Sequence, residues 1–211
     1  MAIAVGCALV CLGVCLPLFF HYKTQRHALG AGFKGLGTLC ALVPALISAL
    51  KLNPVGWVFT AALALHAAGD VLLEYQFVPG MGCFLLGHIC YIAAFLRLFP
   101  LTAAHLICTL ALGAGCFWLL SRQKARIGKN MLPFACYAAV LCLSGGCAIA
   151  GGGSAGTVHG LMIALGGALF LFSDGLLFRN LLDPRGRGAE LAIMITYYCA
   201  QLLLGCSCLM L

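Results

Sequence analysis

Residues 54–74 read PVGWVFTAALALHAAGDVLLE, an apolar run opened by a proline, in which the first acidic side chain arrives only at Asp70. Proline is tolerated in the first turn of a helix, where its missing N–H has no intrahelical partner to lose. At a rise of about 1.5 Å per residue, some twenty residues of helix cross the roughly 30 Å hydrocarbon layer of a bilayer. The stretch is therefore read as a membrane-spanning helix whose end toward Glu74 carries His66, Asp70 and Glu74 at i, i+4 and i+8, on one face.

The rest of the chain repeats this pattern. Of 211 residues, 64% are hydrophobic and 8% charged, and mean hydropathy is +1.10. A soluble domain needs charged side chains to cover its exterior, so most of this surface must meet lipid. The length accommodates roughly eight crossings with short loops and no separate soluble domain. Apolar runs punctuated by polar, Gly or Pro positions predict helices near Ala2–Phe20, Leu29–Leu50, Pro54–Glu74, Gly80–Phe99, Leu101–Leu120, Asn130–Ala150, Ser154–Phe178 and Glu190–Met210. Pro100 supports a tight turn between the fourth and fifth. Met1 to Phe20 lacks a basic leading segment and a small-residue cleavage site, and so is read as a membrane helix and not as a secretory signal. The expected fold is all-α, a polytopic integral membrane protein of eight transmembrane helices, with residues 1–211 as a single transmembrane domain.

Basic residues set the orientation, because cytoplasmic loops hold the excess of Lys and Arg. Lys23 and Arg26 follow the first helix, Arg122, Lys124, Arg126 and Lys129 the fifth, and Arg179, Arg185 and Arg187 the seventh, whereas the even-numbered loops offer little beyond Lys51 and Arg97. This alternation puts the odd-numbered loops in the cytosol and both termini on the lumenal or outer side. The formal net charge of +7 thus reads as topology; its scatter between apolar runs argues against a nucleic-acid partner. The 14 cysteines sit in apolar segments without paired CxxC elements, as small buried hydrophobes do.

Gly69-Asp70-Val71-Leu72-Leu73 in the third helix is echoed four helices later by Ser173-Asp174-Gly175-Leu176-Leu177. An even separation keeps both segments running the same way across the membrane, as in a parallel 4+4 internal repeat, and would let one Asp from each half meet at the centre. The alternative is a chance likeness of two helix ends.

Of the five acidic residues, Asp183 lies in a loop beside Pro184 and Glu190 suits a helix start. Asp70 and Asp174 each lie inside an apolar run, where a carboxyl costs at least a few kcal/mol unless it is paired, protonated or wetted. Counted from the cytosolic helix ends, they lie about 6 to 8 Å deep, and Lys34, His88, Tyr197 and Tyr198 about 8 to 12 Å deep. Tyr91 stands at i+3 from His88 and Gln201 at i+3 from Tyr198. One pocket open to the cytosolic leaflet accounts for the whole layer. Each member also has a plainer reading: Tyr75 and Tyr91 as interfacial aromatics, Lys34 as a snorkelling side chain, His66 as a satisfied core residue, and the two Asp residues as helix-to-helix bonds. His105 and His159 fall far from the layer and are assigned no role.

Gly69-Asp70 with Leu72-Leu73-Glu74, Phe84-Leu85-Leu86-Gly87-His88-Ile89-Cys90-Tyr91, Ser173-Asp174 and Tyr197-Tyr198 with Gln201 together resemble the YhhN-like transmembrane family, from about Lys34 to Gln201. The chain departs from it at Lys34, which Gly35 follows where the family often has proline. The resemblance implies hydrolysis of the vinyl ether bond of a lysoplasmalogen, releasing a fatty aldehyde and a glycerophospho-ethanolamine or glycerophosphocholine, in the endoplasmic reticulum membrane. A single-chain lipid with its head at the interface and its tail in hydrocarbon suits a polar pocket in the cytosolic third of the bundle.

Vinyl ether hydrolysis asks for one acid, to protonate the outer alkene carbon, and one anion, to stabilise the oxocarbenium ion or activate water. Two carboxyls in a dry pocket divide such roles in glycosidases. Asp70 and Asp174 are therefore the expected catalytic pair, with nothing in the sequence to say which is the acid, and His88 the auxiliary that shares a proton or orients water. Lys34 or Arg179 are candidates to meet the phosphate, and Tyr197, Tyr198 and Gln201 the glycerol hydroxyls; Glu74 and Tyr91 complete the expected substrate-binding set. No cofactor or metal is expected, and the partners are the lysophospholipid substrate and membrane lipids. Two rivals stand beside this reading: a metal-dependent lipid hydrolase, for which only His66 and His88 lie at a suitable depth, and a proton-coupled transporter of lipids or small molecules.

Overall fold

The structure is a computed structural model and describes residues 2–211. It is all helical among these residues, with eight helices each long and apolar enough to cross a membrane: α1 (Ala2–Tyr22), α2 (His27–Leu50), α3 (Pro54–Leu73), α4 (Phe77–Leu98), α5 (Ala103–Arg122), α6 (Met131–Ser154), α7 (Val158–Leu182) and α8 (Arg187–Ser207). The chain is an integral membrane protein.

Asn53 caps α3, its side chain accepting the Val55 N–H at 3.0 Å with Pro54 next in line, which satisfies one of the first-turn donors. Thr102 and His105 form a reciprocal cap on α5, so His105 closes a helix end. Pro44 lies within α2 without ending it, as neighbouring helices permit in membrane proteins. In α1 the turn Cys11–Cys15 is a π-turn, with Leu16 N–H bonded back to the Cys11 carbonyl. Pro17 follows directly and has no N–H with which to close a regular bond.

The helices fall within a few residues of the expected boundaries, and the largest difference is at the α6–α7 corner. The run Gly151-Gly152-Gly153 looks like a break, yet α6 continues through it to Ser154 and α7 starts only at Val158. A Cβ at Gly152 would lie 2.3 Å from the Gly160 carbonyl oxygen, so this glycine serves close helix contact. The reversal itself falls at Gly156, whose φ of +63° is cheap only for glycine. At its far end α7 runs one turn beyond Phe178, where Arg126 from the basic fifth loop donates to the Leu182 carbonyl.

Sequence neighbours pack together from α1–α2 to α3–α4 and from α5–α6 to α7–α8, and the two sets meet where α2 packs on α8 and α4 on α6. Adding four to each helix number maps the contacts onto one another: α2–α3 onto α6–α7, α3–α4 onto α7–α8, α2–α8 onto α6–α4. α8 is the most enclosed helix and α5 the least, its Leu106, Ile107, Leu110, Phe117 and Trp118 facing outward. The core between them holds Phe59, Phe95, Phe170, Tyr91 and Tyr198. All three basic loops lie at one end of the bundle, called here the basic end.

Candidate active site

A cavity of about 350 Å³ opens among α1–α8 and reaches the basic end, where Lys23, Glu190 and Asn180 line it. Leu141 and Leu171 line its inner part, each about 15 Å along its helix from the basic end. Its walls are mostly apolar, including Phe84, Leu120, Phe134 and Phe178; four carboxyls line it, Glu74 and Glu190 at the mouth and Asp70 from α3 and Asp174 from α7 within.

Asp70 is 1% exposed. Its Oδ2 accepts from Thr38 Oγ1 on α2 at 2.5 Å and from Tyr197 Oη on α8 at 2.8 Å. Three helices thus hold one carboxyl oxygen. Asp174 accepts a hydrogen bond from Tyr137 on α6. Beside Asp174, Ser173 donates to the Ile193 carbonyl at 3.0 Å and seats α7 on α8.

The mouth carries two ion pairs. Lys34 meets Glu74 at 2.7 Å and Lys23 meets Glu190 at 2.9 Å, with both ammonium groups within 6 Å of the Phe19 ring centroid, at 5.8 and 5.7 Å. His27 adds a contact to Glu74 at 3.7 Å. Lys34 and Glu74 are only 12% and 14% exposed, so removing one partner strands a charge in a poor solvent. Lys34→Met should lower stability by on the order of 2 kcal/mol, between values for exposed and fully buried pairs, and Lys34→Met with Glu74→Gln should restore most of it; thermal unfolding in detergent measures both. Equal loss in the single and double variants would mean that Lys34 acts by packing alone.

Of the remaining expected residues, Tyr197 lines the cavity, whereas Gln201, Tyr91, Tyr198 and His88 lie behind its wall. Tyr91 Oη donates to Gln201 Oε1 at 3.0 Å, and Gln201 Nε2 lies 2.8 Å from His66 Nδ1 and 3.0 Å from Tyr197 Oη. Tyr198 donates to the Lys34 carbonyl at 2.9 Å. His88 Nδ1 is 3.2 Å from Ser144 Oγ, in a gap of about 10 Å³ separate from the main cavity. The Nε2 atoms of His66 and His88 are buried without a partner, their rings 5.0 Å apart and packed on Phe170. Arg179 is exposed and does not line the cavity. Among the described residues no three His, Cys, Asp or Glu side chains are grouped as a metal would need.

Lys23 and Glu190, read from the sequence as a loop charge and a helix start, join the site at its mouth, and Thr38, Tyr137 and Ser144 were not anticipated at all. Thr38 has a signal, one helical turn from Lys34 on the same face. Tyr137 and Ser144 have little, because single hydroxyls are common in apolar helices and find nearby carbonyl partners at low cost.

The fold and the site together define a multispanning helical membrane protein with a carboxyl-bearing chamber set into one side of the bilayer. The chain belongs to the YhhN family, which it matches over residues 29–208. It is similar to lysoplasmalogenase TMEM86B of Homo sapiens, 36% identical over 150 residues that cover 70% of this chain and 62% of that protein. The Rattus norvegicus and Mus musculus proteins of the same name are 35% and 34% identical, covering 72% and 70% of this chain. This chain spans 62% of the length of each. No solved structure matches it.

Proposed function

We propose that the protein is a lysoplasmalogenase, which hydrolyses the vinyl ether of a 1-alkenyl-glycerophospho-ethanolamine or -choline to a fatty aldehyde and the glycerophospho-base. The observation that carries this reading is the shared chamber of Asp70 and Asp174, with charged groups at its mouth and hydrocarbon-like walls within. Such a chamber fits a molecule with one polar and one apolar end and puts two carboxyls where the ends join. The names of the relatives agree with this chemistry. By the positive-inside rule the mouth faces the cytosolic leaflet and both described ends of the chain face the lumen; the family resemblance points to the endoplasmic reticulum.

The chemistry needs a proton on the outer alkene carbon, which leaves a cation shared between the inner carbon and the ether oxygen. An ionised carboxylate stabilises that cation, and water captures it as a hemiacetal that collapses to the aldehyde. Tyr197, Thr38 and Tyr137 hold the two carboxyls in place, and the apolar walls keep out bulk water. Lys23 and Lys34 are placed to meet a phosphate, and Glu74 and Glu190 an ammonium group.

Purified protein in detergent should release aldehyde from a lysoplasmalogen and none from its saturated ether analogue, which cannot form the cation. Turnover should persist after dialysis against a strong chelator. Turnover lost to the chelator and restored by Zn²⁺ would favour the metal-dependent rival. No aldehyde without a transmembrane gradient would favour the transporter.

A further inference from the structure

Gln201 is fully buried on α8, one turn farther from the basic end than Tyr197, and does not itself line the chamber. Its three bonds nevertheless set the direction of the Tyr197 proton beside Asp70. The Tyr91 hydroxyl donates to Oε1, which leaves the amide nitrogen facing His66 Nδ1 and Tyr197 Oη, with one N–H for each. Because Tyr197 Oη accepts a hydrogen bond from the Gln201 amide, its own single proton is free for Asp70 Oδ2. The Thr38 proton goes to the same oxygen. The 3.0 Å approach of the Thr38 and Tyr197 oxygens then needs no proton of its own.

We infer that Gln201 is a positioning residue whose amide turns the Tyr197 hydroxyl onto Asp70, making Asp70 the proton-accepting carboxylate and Asp174 the acid that protonates the alkene. This assignment rests on the lysoplasmalogenase reading and goes beyond it by dividing the two roles. Two hydroxyl donors on one oxygen favour the ionised carboxyl; Asp174 has the single donor Tyr137, and Phe178, Leu177 and Leu120 line the chamber with it. Lys34 and Thr38 are one turn apart on α2, as Asp70 and Glu74 are on α3, so the Lys34–Glu74 ion pair lies one turn from the Thr38–Asp70 bond. The titratable groups around Asp70 are Lys34 of α2, Glu74 and His66 of α3, Tyr197 and Tyr198 of α8, and Asp174 of α7. Cys11 of α1 lies in the adjoining core, and His88 and Tyr91 of α4 stand behind Gln201.

The steps balance. Asp174 gives its proton to the outer alkene carbon as the π pair forms the new C–H bond. Water then adds to the inner carbon of the cation, and its released proton goes to Asp70. The hemiacetal collapses as its O–H proton returns to Asp174, the bond from carbon to the glycerol oxygen breaks, and that oxygen takes the proton from Asp70. Both carboxyls end as they began.

The test is the pH profile of kcat for aldehyde release, whose acid limb reports the carboxyl that must be ionised and whose alkaline limb the one that must be protonated. Tyr197→Phe removes a donor from Asp70 and should move the acid limb alone to higher pH. Gln201→Glu, equal in size, accepts the Tyr197 proton in place of donating; it should move the same limb the same way, lower kcat about tenfold or more and leave KM within about threefold. Tyr137→Phe should move only the alkaline limb upward. Tyr91→Phe, which frees the amide to turn, reads the same contact if the Gln201 variant does not accumulate, and should also move the acid limb. An acid limb that moves with Tyr137→Phe while the alkaline limb moves with Tyr197→Phe would reverse the two roles. Unchanged limbs in Gln201→Glu and Tyr91→Phe, with activity falling in step with folded protein, would reduce Gln201 to a structural residue. A wild-type protein that releases no aldehyde would reject the hydrolase reading itself, an outcome separate from either.

Discussion

Asp174→Asn should insert and unfold like the wild type yet release aldehyde at least about two orders of magnitude more slowly, as expected when a positioned proton donor is removed. The substitution keeps size and leaves an oxygen to accept the Tyr137 hydrogen bond, so stability is expected to change little. Asp70→Asn should lose turnover to at least a similar extent, because an amide still accepts from Thr38 and Tyr197 but provides no anion for the cation and no base for the water. Single-turnover aldehyde release with substrate bound separates this loss from weaker binding. Near wild-type turnover in either variant would remove the carboxyl-pair mechanism.

Gly205→Val is the second large effect, and it falls on assembly. A Cβ at this position of α8 would lie 2.0 Å from the Ala41 carbonyl oxygen of α2 and 2.9 Å from its carbonyl carbon. Backbone cannot yield as a flexible side chain can, so the two helices must separate, at a cost of about 3 kcal/mol or more. These helices carry Thr38, Tyr197 and Gln201, so turnover should fall together with the unfolding temperature. Gly6→Ala is the control, since an added Cβ there meets nothing within 4 Å. Equal unfolding temperatures for Gly205→Val and the wild type would mean that α2 and α8 do not approach this closely.

The eight spans were legible because two independent signals agree, apolar length and the alternation of basic loops between α1 and α8. The triple glycine of α6 misled because glycine marks loops in water and tight helix contact in membranes alike; only Gly160 across the interface distinguishes the two. Asp70 and Asp174 were legible as charges in apolar runs. Depth along a helix axis placed His88 in the layer of the two Asp residues, and Gln201 joined it by its i+3 spacing from Tyr198, but neither signal says which way the shared face turns. The structure turns His88 toward Ser144 and Gln201 toward Tyr91, both away from the chamber. Arg179 lies at the right level on α7, and its long side chain reaches out past the chamber, as cationic side chains near an interface do. Tyr137 was missed because one phenol on an apolar helix reads like any interfacial aromatic until Asp174 is seen opposite.

The gradient along the chamber, ion pairs at one end and leucines at the other, bears on the fate of the two products. In the proposed reaction a lysophospholipid would be held by both ends at once, but each half left after hydrolysis would suit only one. The glycerophospho-base would be drawn toward water past Lys23 and Glu190, and the aldehyde would stay with the apolar walls. Departure in opposite directions would make recombination rare and let neither fragment plug the exit of the other.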